Sequence, residues 1–435
     1  MNAKTVQRGW FQLTPFMVFV GLFLLSTFCF SLQLSPIFSC AVALVYSFCI
    51  FPQKKSLNEK IQLFVEGSAR PTVVTMCYIY IFTSIFSYIL KDIGGIDAAV
   101  RIGLFLIPSG FLLPGLFITV SLFATAIGTS MGTIAAFLPI GIGIAQTVGV
   151  ESALMAGLVV GGAMLGDNLS IISDTTIAAT QTTGARMIDK FKENVWLVLP
   201  AAGLTLVVLT FINSSSVHVD TALVQQSLHM VDFVKALPYV IIFALALAGI
   251  DVLAVLVGGI IAALGIGWWL GAFSFLRGSA LLVEGFSKDQ GGIHEVLILS
   301  LLVAGLSHIV EHNGGIAYLL QRFSKHIKSA RGAEFAMAIL VFLVNAAVAI
   351  NTVAILVTGP VAKRIAHQFG VTAKRTACLI DIFSCICQGI LPYAPQLLLA
   401  SSLAGVSSIA IMPHLHYQGF IFVVVVLTMI WPKKR

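Results

Sequence analysis

Residues 166–176 read GDNLSIISDTT and end a stretch, from Ser152 to Gly166, that carries no charge. Asp167 and Asp174 are carboxylates, and Asn168, Ser170, Ser173, Thr175 and Thr176 add neutral oxygen donors. An ionised carboxylate at the centre of a bilayer costs about 2.5–3.5 kcal/mol on insertion scales. In an apolar setting these aspartates must therefore be protonated, paired or bound to a cation. No Lys or Arg lies between Arg101 and Arg186, which leaves a proton or a metal ion as the local partner. Oxygen-rich coordination suits alkali and alkaline-earth cations and not thiolate-seeking metals, and a helix interrupted here would add free backbone carbonyls.

The setting is a membrane. Of 435 residues, 58% are hydrophobic and 10% charged, with a mean hydropathy of +1.00, where a soluble domain carries roughly a quarter charged residues. Apolar runs of the length a crossing needs, about 20 residues, recur along the whole chain and leave no room for a sizeable soluble domain. The first, at about 15–30, lacks a small-x-small cleavage pattern and is read as a retained helix. The cysteines all fall in apolar runs and read as packing residues. The net charge of +7 needs no nucleic acid, because membrane proteins gather Lys and Arg in cytoplasmic loops.

Fourteen apolar segments can be delimited, and two of them, 152–182 and 376–406, are too long for one plain crossing. Each has polar or Pro/Gly-rich material near its middle, the opening motif in one and CQGILPYAPQ (387–396) in the other, so both read as broken helices. The chain also repeats itself weakly at an offset near 220: EG at 66–67 and 284–285, GGI at 94–96 and 314–316, and IAQTVGV (144–150) against IAHQFGV (365–371). Two halves, 1–215 and 216–435, each of seven segments, would make the second copy inverted. With both termini cytoplasmic, the loops 52–70, 184–193, 322–331 and 363–375 and the termini hold 20 of the 25 Lys and Arg, as the positive-inside rule requires. The expected fold is an all-α polytopic membrane protein of two inverted repeats, the signature of secondary transporters. The pair 104–127 and 134–149 is either two crossings or a re-entrant hairpin tipped by GTSMGT (128–133). Its second-half counterpart is AINTVA (349–354), with Asn351 and Thr352 at the bend.

GDNLSIISDTT resembles the GD-x-LSP-x-SDTT signature of the NhaC family of sodium/proton antiporters, and GTSMGT resembles that family's GTSWGT. RTACLIDIFSCICQGILPY (375–393) looks like a reduced form of its second-half motif. The resemblance implies a Na+ site at Asp167, Asn168, Ser170, Ser173, Asp174, Thr175 and Thr176, faced by Thr129, Ser130 and Thr133. Asp167 or Asp174 would be the carrier shared by proton and sodium, competing for the same oxygens. This sequence departs from the pattern at Ile171, where the family has proline. In the second half only Asp381 remains of an acidic pair, beside Gln388, Tyr393 and Gln396. Asp381 is a second proton site, or is satisfied by nearby backbone or Arg375. The partner break has no carboxylate, so the ion site is expected mostly in the first half.

The resulting expectation is a multi-pass transporter of the cell membrane exchanging Na+, or Li+, for H+. It would need no cofactor and bind no nucleic acid, and the sequence leaves a homodimer open. The alternative is coupled transport of a small carboxylate or amino acid, which a cationic side chain near the site would favour; none is obvious in the hairpins or breaks. More remote is an intramembrane aspartyl protease, which would place one aspartate on each of two helices. SHIVEH (307–312) precedes a GG pair and reads as a helix end, not a metal site. Asp251 reads as a cytoplasmic turn, and Asn345 and Asn351 as hairpin packing and hydrogen-bonding residues.

Overall fold

Long apolar runs free of charge have one way to satisfy their backbone in lipid, which is helix. The computed structural model describes residues 9–28, 36–50, 56–171, 173–216, 229–288, 293–318 and 327–431, and among them there is no strand. Cys29, both basic termini and the basic residues at 54, 55, 322 and 325 lie outside these ranges. The first half contains α1 (Thr14–Phe28), α2 (Pro36–Ile50), α3 (Leu57–Ser68), α4 (Pro71–Asp92), α5 (Gly95–Leu106), α6 (Leu112–Ile127), α7 (Ser130–Val148), α8 (Ser152–Leu169), α9 (Asp174–Thr183) and α10 (Met187–Ser216). The second contains α11 (Met230–Leu247), α12 (Val252–Trp269), α13 (Phe275–Ser287), α14 (Ile293–His312), α15 (Ala330–Val348), α16 (Asn351–Phe369), α17 (Ala373–Ile390), α18 (Pro395–Ala404) and α19 (His416–Ile430). Among the described residues nine helices are long and apolar enough to cross a membrane, or ten if a pair bent by 54° counts as one. Large apolar side chains such as Leu122 (65% exposed) and Phe211 (71%) stand on the outer surface, as a lipid-facing wall requires.

Both expected breaks are present. α8 ends at Leu169, Ser170 and Ser173 are extended, and α9 restarts at Asp174. α17 ends at Ile390 and α18 restarts at Pro395, where proline's missing N–H is no loss. α7 and α16 are 19 residues each, α8 and α17 18 each, and α9 and α18 10 each. Each of the second-half members begins 221 residues after its counterpart. The helix-interior prolines Pro139 and Pro360 keep the same spacing. The α6–α7 hairpin packs on α8 and α18, while the α15–α16 hairpin packs on α17 and α9.

Glycines set two of these approaches. A Cβ on Gly166 would run into the Ser121 carbonyl and Ala124 of α6 and lie 2.6 Å from the Thr125 nitrogen. The first residue of the GDNLS motif thus lets the hairpin touch the broken helix. The repeated EG pairs have a similar origin, for a Cβ on Gly67 of α3 would lie 3.0 Å from the Gly305 Cα of α14, and one on Gly285 of α13 would lie 2.8 Å from the Ile85 Cα of α4. Each neighbouring glutamate reaches the helix packed against its own: Glu66 is 3.8 Å from His308, and Glu284 accepts from Tyr88 Oη at 2.6 Å. Lys288, Tyr88 and Arg277 hold the Glu284 carboxyl down at about 2. SHIVEH ends α14, and Arg70 binds both His308 and Glu311.

Candidate functional site

The break between α8 and α9 organises a chain of polar contacts. Ser173 donates to Asp167 Oδ1 at 2.7 Å, so the 2.9 Å contact between Ser173 and Thr175 must be a donation from Thr175. Thr176 Oγ1 donates to the Ser170 carbonyl at 2.8 Å, satisfying backbone that the break exposes. Asn168 donates to Tyr417 Oη at 2.9 Å. Asp167 is 3% exposed, and the Cys385 thiol, from the other half of the chain, lies 3.8 Å from its Oδ2. Asp174 is exposed, standing at the first turn of α9. The two aspartates of one motif therefore occupy different environments.

Lys190 is the feature the sequence reading missed. Counted there as part of a basic cytoplasmic loop, it lies inside α10, 1% exposed, with its Nζ 2.6 Å from Asp381 Oδ2, which is itself fully buried. The ammonium also donates to Thr176 Oγ1 at 2.6 Å and to the Asn168 carbonyl at 3.5 Å. Asn194, one turn further along α10, donates to Asp381 Oδ2 at 3.2 Å and to the Asn168 carbonyl at 2.7 Å. Three expectations change. A cationic side chain does stand at the site. Asp381 Oδ2 is bound by Lys190 and Asn194, while Arg375 binds Glu334. The polar centre is not confined to the first half, because Asp381 and Cys385 of α17 complete it. The available signal was the face of α10: Lys190, Asn194, Leu197, Val198 and Ala201 recur at helical spacing and are all buried.

Among the described residues, the buried ionisable side chains, tyrosines and cysteines aside, are Asp167, Lys190, Asp232, Glu334, Arg375 and Asp381. Asp232 pairs with Arg101, Glu334 with Arg375 and Lys190 with Asp381. Asp167 has no cationic partner among the described residues. Around it, Asn168 Oδ1, Ser170 Oγ, Asn194 Oδ1 and Asp381 Oδ1 are buried without a hydrogen bond. Buried polar atoms of this kind are uncommon and call for a specific reason.

The expected facing residues divide. Thr129, at the hairpin tip, lines a cavity of about 510 Å³ together with Asp174, Thr72, Gly132 and Asp251. Ser130 meets Gln396 of the other break at 3.4 Å, and Thr133 donates to its own helix at the Thr129 carbonyl. The second-half candidates hold backbone: Gln388 donates to the Ala349 carbonyl at 2.9 Å, Tyr393 to that of Ala346 at 2.9 Å and Asn345 to that of Ser384 at 2.7 Å. Asn351 Oδ1 accepts from the Thr352 backbone at 3.0 Å. Asp251 caps α12 by accepting from Leu253 N at 2.9 Å, a turn as expected, yet one that faces Asp174's cavity. A second cavity of about 470 Å³ is lined by Ser84, Lys91, Asp97, Gln146 and Ser402. Thr72 and Lys91 are at opposite ends of α4, about 28 Å apart at 1.5 Å per residue, so the two cavities lie toward opposite ends of that helix.

Asp167 and Asp381 do lie on two helices, as a protease dyad would, with Asp381 Oδ2 held by Lys190 and Asn194.

Broken helices, a dehydrated carboxylate and cavities at both ends define a multi-pass membrane transporter. The chain belongs to the Na+/H+ antiporter family, which matches it over residues 9–214 and again over 216–431. It is 24% identical over 339 residues to the Na+/H+ antiporter NhaC of Alkalihalophilus pseudofirmus, covering 72% of this chain and 71% of that one. It is 22% identical over 355 residues to the malate-2H+/Na+-lactate antiporter of Bacillus subtilis (75% and 74% covered). The arginine/ornithine antiporter ArcD of Halobacterium salinarum is 21% identical over 395 residues (84% and 80% covered).

Proposed function

We propose that the protein exchanges Na+ for H+ across the cell membrane, with Asp167 as the shared carrier, and that it is no enzyme and needs no cofactor. The observation that carries this reading is that Asp167 is buried, lacks a counter-ion and sits among unpartnered oxygens. A carboxylate so placed is stable only when something positive neutralises it, and a proton and Na+ both can. Ser173 orients Asp167 Oδ1. Asp174, solvated in its cavity, gathers cations at the mouth and is not the shared carrier. Alternating access would open the centre first to Asp174's cavity and then to that of Lys91 and Asp97. The matched helices at a spacing of 221 residues and the reciprocal hairpin packing support an arrangement of two inverted repeats, with the positive-inside count favouring cytoplasmic termini.

A second reading, exchange of small carboxylates or amino acids, draws on the names of the Bacillus subtilis and Halobacterium salinarum relatives. Lys190 does not strengthen it, since Asp381 already neutralises that charge. The test is a pH gradient across proteoliposomes, challenged in turn with Na+, Li+, K+, malate, lactate and arginine. Collapse by Na+ alone or by Na+ and Li+ is expected. A gradient that ignores every cation and responds to an organic substrate would replace this reading with the second.

A further inference from the structure

We propose that Lys190 is a built-in cation, whose ammonium holds one of the centre's two carboxylates so that the site carries a single monovalent cation per passage and exchanges ions one for one without moving net charge. This rests on the reading of the protein as a Na+/H+ exchanger, and concerns how many ions each turnover takes.

The geometry is that of a cation position already filled. An ammonium has three N–H donors, and three oxygens receive them: Asp381 Oδ2 at 2.6 Å, Thr176 Oγ1 at 2.6 Å and the Asn168 carbonyl at 3.5 Å. Thr176 can accept because its own proton goes to the Ser170 carbonyl. A carboxylate, a hydroxyl and a backbone carbonyl are the donor types that bare monovalent cations take in broken-helix sites, and here a tethered one occupies them.

The charge count follows. Asp167 and Asp381 contribute two negative charges to the centre and Lys190 one positive, while Asp174 stands apart from it, exposed on the wall of the cavity. The paired groups Arg375 and Glu334 cancel each other elsewhere. One negative charge remains, on Asp167. One Na+ neutralises it on one leg and one proton on the other, so the loaded centre is electrically equal in both directions. Taking Lys190 away leaves two carboxylates, which two protons neutralise on one leg while a single Na+ shared between them crosses on the other.

The experiment is Na+-driven proton flux in proteoliposomes with the membrane potential clamped by K+ and valinomycin, with the null point located by varying the Na+ gradient against a fixed pH gradient. For wild type the flux is expected to be the same at zero and at inside-negative potential, and to vanish where the Na+ and H+ gradients are equal. In Lys190→Gln the flux is expected to become potential-driven, and in the double variant K190Q/D381N, which removes both charges together, the potential dependence is expected to disappear again. A wild type whose flux follows the potential overturns the proposal, whether or not the variants fold. So does a folded Lys190→Gln protein that exchanges with no potential dependence. A wild type with no Na+-driven proton flux at all is a different result, and overturns the exchanger reading together with the proposal.

Discussion

Asp167, Asp174 and Asp381 are chemically alike and differ only in what the fold sets against them. Asp381 is matched by an ammonium and Asp167 by hydroxyl, thiol and unpartnered oxygen, while Asp174 lines a cavity. Sequence could place the first-half pair in one motif and name its oxygen donors, because side-chain chemistry and spacing along one segment are local facts. It could not separate Asp167 from Asp174, which depends on which side of the break each falls. Lys190 was hidden for a related reason: RMIDKFKEN is rich in charge, and charge is ordinarily evidence for water, yet one face of that turn points into the bundle. Removing one member of a buried ion pair leaves an uncompensated charge, so Lys190→Gln and Asp381→Asn should each destabilise by about 3–5 kcal/mol, whereas the double replacement costs little. Thermal melts in detergent check this; single variants as stable as wild type would mean that the pair is not buried in the working protein.

At the scale of elements, the breaks were legible because a 31-residue apolar run is too long for one plain crossing, and an extramembrane turn at its polar middle would leave flanking segments too short to cross alone. The choice between two crossings and a hairpin was not, since it depends on the depth of the tip. That tip is fixed by Gly128 in the first half, in the left-handed region at φ 76°, and by Ala349 in the second, at φ 57°. Among the described residues Ala349 is the one non-glycine residue with positive φ. An L-residue there costs roughly 1–2 kcal/mol, and it is retained beside the Gln388 hydrogen bond that pins the tip. Ala349→Gly should therefore stabilise the protein, by about 0.5–1 kcal/mol once glycine's greater unfolded-state entropy is counted. A lower melting temperature in that variant would show that the alanine methyl contributes packing which outweighs the strain.

The whole molecule brings two halves of like design into unlike chemistry. Gln388 stands 221 residues after Asp167 and bonds a hairpin carbonyl where Asp167 keeps a carboxylate. The exchange of charge for amide explains why the second break reads as structural. It does not leave the second half idle, because α17 brings Asp381 and Cys385 to the centre. The central claim is that this one unmatched carboxylate carries both ions. The most direct measurement compares wild type, Asp167→Asn and Asp174→Asn, each shown to be folded by its melting curve, for collapse of a pH gradient in proteoliposomes on adding Na+. The expected result is collapse in wild type, none above empty vesicles in Asp167→Asn, and collapse at a raised half-saturating Na+ concentration in Asp174→Asn. An Asp167→Asn protein that dissipates the gradient as wild type does would contradict the account.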